Sequence, residues 1–351
     1  MEKITILDTT LRDGSYTINF SFTSTDTSLI CEQLEHAGLE YIEIGHGLGM
    51  NASNLGYGVA SQTDEEYMIA AKEALKKAKY GMFCIPGIAR LSDLDLAKKH
   101  HMGFVRVGTD VDKVQESEKF IKKAKRLDLF VAANYMKSYA LEPSKFAKQV
   151  KQSEKYGADI IYIVDSAGGM FPEDVLNYYK AIRKISNMPI GFHGHDNLGL
   201  AVSNSLLAAD IGIELIDSSL QGLGRSSGNA STEILVAALK KKGFHTNVDL
   251  LKILNVGQTY VQPLITARGK IPLDIIAGYA DFHSSYMHHI MKYSSKYRVA
   301  PEILIIEMAK IDKVNLNEKM LDKIARKVKN SNDVYTAKYG FNRYIGREQE
   351  K

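Results

Sequence analysis

The sequence predicts an α/β fold, a (β/α)8 TIM barrel with a C-terminal helical extension, and three observations carry the prediction. Eight short β-branched or aromatic runs alternate with amphipathic stretches of about ten to fifteen residues, the pattern of repeated βα units. The eight units span about 240 residues, near the ~250 of a closed barrel, whereas an open sheet more often stops at about five or six strands. Several helical patterns also end at the same small-residue stop, as in His36-Ala37-Gly38, Lys155-Tyr156-Gly157 and Asp210-Ile211-Gly212, where glycine supplies the left-handed turn after a helix.

Taken in order, the first unit joins a strand over Ile4 to Arg12 with a helix over Thr25 to Ala37. The second runs Tyr41 to His46, then Asp64 to Lys77; the third Gly81 to Pro86, then Ser92 to His100; the fourth Phe104 to Thr109, then Lys113 to Leu127. The fifth pairs Phe130 to Tyr135 with Pro143 to Tyr156, and the sixth Ile160 to Asp165 with Pro172 to Ile185. Ile190 to His195 with Leu198 to Ile211, and Leu215 to Leu220 with Ala230 to Lys241, complete the barrel. Beyond it the pattern changes to helices without strands: Val248 to Val261, Ala277 to Tyr297, Pro301 to Ile311 and Glu318 to Lys329. The expected division is therefore a barrel over 1–245, a helical domain over 246–330 and a polar tail over 331–351.

The 351 residues are 45% hydrophobic and 25% charged, an ordinary globular mixture. No apolar run approaches the ~20 residues of a membrane span, so no membrane partner is expected. The net charge of +4 is spread thinly and forms no basic arm for nucleic acid. Met1 leads straight into the strand-like Ile4-Thr5-Ile6-Leu7 without a secretory pattern, and a cytoplasmic protein is expected. Cys31 and Cys84 are expected to be reduced, buried hydrophobes.

In such a barrel the chemistry sits at the C-terminal ends of the strands. That filter keeps Arg12, Asp13, His46, Asp165, Ser166, His193, His195 and Asp196, and discards His36, His100, His101 and His245. In His193-Gly194-His195 the spacing of two turns both imidazoles to one side of a strand. Barrel closure puts Asp13 two strands away, with the eighth between. Two imidazoles and a carboxylate make a facial metal site, although a lone His-x-His also serves as a structural hydrogen-bonding pair. Arg12 is either a fixed donor to a developing enolate or one half of a salt bridge across the mouth. The glycine-rich stretch Gln221 to Asn229 reads equally as an anion cradle or a tight turn. Asp165-Ser166-Ala167-Gly168-Gly169 reads as a carboxylate-binding loop or as ordinary capping.

Three stretches resemble the signatures of the TIM-barrel metallolyases, the superfamily of HMG-CoA lyase, isopropylmalate synthase and the 4-hydroxy-2-oxovalerate aldolases. They are Leu7-Asp8-Thr9-Thr10-Leu11-Arg12-Asp13-Gly14, Gly191 through Ala201 with Asn204, and Gly222-Leu223-Gly224 through Gly228-Asn229. The aldolases are resembled throughout the chain, through Gly45-His46-Gly47-Leu48-Gly49, Asn54-Leu55-Gly56-Tyr57-Gly58, Asp165-Ser166 with its glycine pair, and Gly278-Tyr279-Ala280 with Ser284-Ser285. The resemblance implies a divalent cation, most often Mn2+ and alternatively Mg2+ or Co2+, on Asp13, His193 and His195, with Asn229 as an additional ligand. It implies that Arg12 stabilises a pyruvate enolate, that Ser166 and His193 contact the substrate, and that the reaction cleaves a 4-hydroxy-2-oxo acid to pyruvate and an aldehyde. It also implies an aldehyde dehydrogenase partner or a homo-oligomer. The alternatives are a Claisen-type acyl-CoA synthase or lyase, for which no CoA signature is seen, and an inactive scaffold barrel.

One departure stands out. The aldolases carry their base histidine two residues after the motif glycine, where this chain has Tyr16, and a tyrosine late in the chain where this one has His283. An unperturbed phenol titrates near 10 and an imidazole near 6.5. The expectation is that His283 takes over proton transfer while Tyr16 orients the hydroxyl, in a branch acting on a different aldehyde or keto acid.

Overall fold

Runs such as Ile160-Ile161-Tyr162-Ile163-Val164 have no polar face, which suits strands covered on both sides and therefore a parallel sheet. The computed structural model describes residues 3–265, 271–328 and 344. Its strands are β1 (Thr5–Asp8), β2 (Tyr41–Ile44), β3 (Lys79–Cys84), β4 (Phe104–Asp110), β5 (Phe130–Met136), β6 (Ile160–Asp165), β7 (Ile190–Gly194) and β8 (Leu215–Ser218). They pair in parallel in chain order, and β8 closes on β1 with Leu7 opposite Asp217. Around them lie α1 (Ser24–His36), α2 (Asp64–Ala74), α3 (Leu91–Lys99), α4 (Glu118–Arg126), α5 (Pro143–Tyr156), α6 (Pro172–Arg183), α7 (Ala201–Asp210) and α8 (Thr232–Lys242). The expected barrel is therefore the observed one.

Alternation along each strand sorts side chains into two layers. Ile42, Ile44, Val105, Val107, Ile161, Ile163, Ile190, Phe192 and Ile216 face outward into the core shared with the helices. Leu7, Phe104, Ala132, Ile160, Tyr162, Val164 and Leu215 form a separate inner cluster that plugs the barrel. Cys31 and Cys84 are buried and free.

The extension comprises α9 (Leu250–Val256), α10 (Pro272–Ala280), α11 (Met287–Tyr297), α12 (Pro301–Ala309) and α13 (Glu318–Lys327). Val248, Ile253, Val256 and Val261 pack in the barrel's own core, while the helices from Pro272 onward share a second core around Leu273, Met287, Leu304 and Leu321. Tyr344 is buried in that second core; the rest of the polar tail lies outside the described residues. Among those residues no helix is long and apolar enough to cross a membrane.

Two of the differences from the expected elements bear on the site. The first strand stops at Asp8, because the Asp8 carboxylate takes the Thr10 N–H and the Thr9 carbonyl takes the N–H groups of Arg12 and Asp13. Arg12 and Asp13 therefore lie on a turn and a 3-10 helix (Asp13–Ile18) just beyond the strand. The helix expected over Ala277 to Tyr297 is broken after Ala280, where Asp281 takes a left-handed conformation at φ 52°. His283 follows in extended conformation and leads into a short 3-10 turn, Ser284–Tyr286.

Candidate active site

The inward parity of β7 carries His193 and His195 to the barrel mouth, and Asp13 reaches the same point from the turn after β1. One ligand atom from each lies within 4.8 Å of the others, and all three residues are buried, a spread that one ion with ligands at about 2.1 Å closes with small side-chain shifts. His193 Nδ1–H donates to Asp217 Oδ2 at 2.8 Å, and His195 Nδ1–H donates to the Gly228 carbonyl at 3.2 Å. Both acceptors lack protons, so each ring carries its hydrogen on Nδ1 and presents the Nε2 lone pair, as a metal ligand must. Burial brings His195 down to about 4, against the opposing pull of Asp13, so it is neutral at neutral pH. Burial alone would raise Asp13, but Arg12, His195, His193 and the Asn229 amide together hold its carboxyl well below the usual range.

Asp13 is oriented from both sides. Arg12 Nη1 donates to Oδ1 at 2.6 Å, while Asn229 Nδ2 and the Arg225 N–H donate to Oδ2 at 2.8 and 3.2 Å. That leaves Asn229 Oδ1 buried and without a partner, an oxygen whose burial is costly unless something electropositive meets it. Gly224 makes this approach sterically feasible, because a Cβ there would fall 2.4 Å from Asn229 Nδ2 and 2.7 Å from Asp13 Oδ2.

Beneath the triad the barrel holds a chain of charges that the sequence analysis missed. Arg12 Nε donates to Glu43 Oε2 at 2.8 Å; Arg106 Nη1 reaches the same oxygen at 2.9 Å, and Arg106 Nη2 pairs with Asp217 Oδ2 at 2.6 Å. The Arg106 guanidinium also lies over the Tyr162 ring at 4.4 Å. Asp13, Arg12, Glu43, Arg106, Asp217 and His193 are thus continuous. Its three carboxylates and two guanidiniums leave one negative charge, which suits a divalent cation above it. A signal existed: Glu43, Arg106 and Asp217 each stand alone inside an apolar strand run, and the parity that turns His193 inward turns them inward too.

At the mouth, the Arg225 guanidinium lies 4.6 Å above the Tyr16 ring, and its Nε donates to Ser284 Oγ at 3.0 Å. One side chain thereby links the turn after β1, the loop after β8 and the extension. The Tyr16 ring also abuts Gly47, where a Cβ would fall 2.4 Å from a ring carbon. His283 Nδ1 accepts the Ser285 backbone N–H at 3.2 Å and lies 2.7 Å from Ser285 Oγ. Burial first, then the positive charges of Arg225 and Lys137, hold His283 well below its ordinary range. Tyr16 and His283 therefore both lie at the mouth. Ser166 Oγ accepts the Lys137 N–H at 2.9 Å. Lys137, also missed, is left-handed at φ 59° and buried; its ammonium bonds the Val314 carbonyl at 2.7 Å and pairs with Asp110 at 3.1 Å, pinning β5 to the extension.

Three retained candidates serve the loops instead. His46 accepts the Leu48 N–H, donates to the Gly58 carbonyl and stacks on Phe20 at 3.8 Å. Asp165 accepts the Gly169 and Met170 N–H groups, and Asp196 accepts that of Ala201 at the start of α7. Local N–H groups claim these acceptors because each lies where a strand turns into a loop.

An HMGL-like family profile matches residues 3–259. The chain belongs to the HMGL-like family. Over 332 residues this HMGL-like chain is 37% identical to a 4-hydroxy-2-oxovalerate aldolase of Carboxydothermus hydrogenoformans, covering 94% of its own length and 99% of that protein. It is thus a carbon–carbon lyase of the 4-hydroxy-2-oxovalerate aldolase-like kind. A crystal structure of the N-terminal domain of a putative aldolase from Bacteroides vulgatus superposes with a TM-score of 0.67 at 28% identity, covering 78% of this chain and 92% of that one. HMG-CoA lyase from Brucella melitensis gives 0.65 at 19% identity, covering 75% and 99%, and shares the fold.

Proposed function

We propose that this HMGL-like lyase is a divalent-metal-dependent pyruvate aldolase that reversibly cleaves a 4-hydroxy-2-oxo acid to pyruvate and an aldehyde. The observation that carries the reading is the convergence of Asp13, His193 and His195 with the buried, unpartnered Asn229 Oδ1 beside them. Asp13, His193 and His195 would hold the ion, Mn2+ in our reading, with Asn229 as an additional ligand. A cation held there supplies Lewis-acid stabilisation of enolate charge.

The chain's own groups divide the remaining work. In cleavage the 4-hydroxyl loses its proton, the C3–C4 bond breaks, and its electron pair passes into the pyruvate enolate, which is then protonated at C3. Arg12 has Nε and Nη1 committed to Glu43 and Asp13, which hold the guanidinium fixed while Nη2 donates to the developing oxyanion. Ser166, its oxygen anchored by the Lys137 N–H, keeps its own hydroxyl hydrogen to donate to the substrate carboxylate. His283 Nδ1 accepts the Ser285 N–H in the resting arrangement, so His283 acts as base in its other tautomer, with Nδ1–H turned to Ser285 Oγ and Nε2 open to the 4-hydroxyl proton, while Tyr16 orients the hydroxyl. A base that is unprotonated at neutral pH meets the requirement for this transfer.

The test is pyruvate release from a panel of 4-hydroxy-2-oxo acids by apo protein reconstituted with Mn2+, Mg2+ or Co2+. Metal-dependent release, lost with metal content in His195→Ala, is expected. Metal-free protein of full activity, or wild type that binds none of these ions, refutes the mechanism.

A further inference from the structure

The resemblance gives no role to Arg225, yet its side chain occupies the mouth between the metal triad and the exchanged pair Tyr16 and His283. Its backbone N–H bonds the triad carboxylate at 3.2 Å, its Nε donates to Ser284 Oγ at 3.0 Å, and its guanidinium carbon lies 4.6 Å from the centre of the Tyr16 ring. Hydroxyl and ring set the guanidinium in a defined orientation, so little conformational entropy is lost when it binds something further. The ring face is used as a shelf for a cation, which gives Tyr16 a purpose that a histidine base would not serve.

Resting on the aldolase reading above, we infer that Arg225 determines specificity for an aldehyde that carries its own oxyanion, a carboxylate or a phosphate. Its planar fork suits either group. Tyr16 and His283 mark the end of the site where the 4-hydroxyl carbon lies in that reading, and Arg225 touches Tyr16 and the residue after His283, so the anionic group extends from the aldehyde side and not from pyruvate. The 2-oxo acid formed is then charged at both ends. Bond making is unchanged: C3 of the pyruvate enolate adds to the aldehyde carbon, and the new alkoxide takes a proton.

Two measurements on metal-loaded full-length protein test this. In the first, aldol formation from pyruvate is followed with acetaldehyde and propanal as neutral acceptors, glyoxylate and succinic semialdehyde as carboxylates, and glycolaldehyde phosphate. In the second, binding of 2-oxoglutarate is compared by calorimetry with that of 2-oxovalerate, which has the same chain length without the distal charge. Wild type is expected to favour an oxyanion acceptor in kcat/KM, and 2-oxoglutarate in binding, by roughly 10- to 100-fold, the range of a charge-assisted contact. The carboxylate and phosphate arms identify which oxyanion is preferred. Arg225→Gln should erase the preference, and Arg225→Lys, which keeps the charge and serves as the folding control, should retain part of it.

If neutral acceptors turn over as well as the anionic ones, the inference fails while the aldolase reading stands. If the preference survives in both variants, Arg225 is not its source. If no acceptor forms a carbon–carbon bond with pyruvate, the aldolase reading itself fails.

Discussion

Asp217→Asn changes one atom in the buried charge chain, and its consequences separate support of the metal site from simple packing. In wild type, Oδ2 of Asp217 accepts from His193 Nδ1 at 2.8 Å and pairs with Arg106 Nη2 at 2.6 Å, with every partner buried. Asparagine keeps the shape and can still accept from one of these groups, but not as an anion. That leaves Arg106 with Glu43, which Arg12 already shares. Removing one partner of a buried pair costs about 3–5 kcal/mol, and loss of the carboxylate behind a metal-binding histidine costs about 10–100-fold in affinity, or roughly 1.4–2.8 kcal/mol. Both terms are expected together. Urea denaturation of apo protein reads the first, and Mn2+ titration of the same protein reads the second. The pH dependence supplies a check of sign. Burial would raise Asp217, but Arg106 and then His193 outweigh it and depress the carboxyl. Its contribution is therefore present above the unfolded value near 3.9 and is lost as pH falls through the lower folded value, so wild type and variant should converge in strong acid. A variant that matches wild type in both stability and Mn2+ affinity at pH 7 would show that the charge chain does not support the site.

Arg12→Lys keeps a positive charge but loses the planar fork that is fixed by Glu43 and Asp13 while a third nitrogen faces the oxyanion, so kcat should fall by roughly two orders of magnitude or more; a raised KM at unchanged kcat would make Arg12 a substrate anchor instead. His283→Ala should lower kcat by about 10²–10⁴ and leave Mn2+ affinity within about twofold, and the acid limb of the wild-type kcat profile should fall below pH 6.5 because burial and Arg225 depress the imidazole; full turnover in the variant rules His283 out. Asp8 is pushed up to about 7 by burial. As a raised acid, it contributes stability that is present below the unfolded value near 3.9 and lost as pH rises through about 7. Asp8→Asn should therefore be stabilised relative to wild type at pH 8, on the order of 2–4 kcal/mol, and not at pH 4; equal differences in thermal melts at the two pH values would contradict the assignment.

The fold and the centre of the site were legible because both are written in local periods. Eight apolar runs at βα spacing define the barrel. Period two in His193-Gly194-His195 turns both rings inward, and closure of the barrel then brings Asp13 to them. His46, Asp165 and Asp196 show the limit of that reading: position at a strand end put them among the candidates, but only the loop conformation reveals that neighbouring N–H groups already claim them. The tertiary structure decided the rest. Glu43, Arg106 and Asp217 come from β2, β4 and β8, and each looks like a lone charge in its own strand until the barrel sets them within hydrogen-bond reach. Arg225 meets Ser284 from 59 residues away, and Lys137 meets Val314 from 177. No periodicity encodes such distances. They follow from how the closed barrel and the folded-back extension place segments that are remote in the chain, and that placement is a property of packing as a whole.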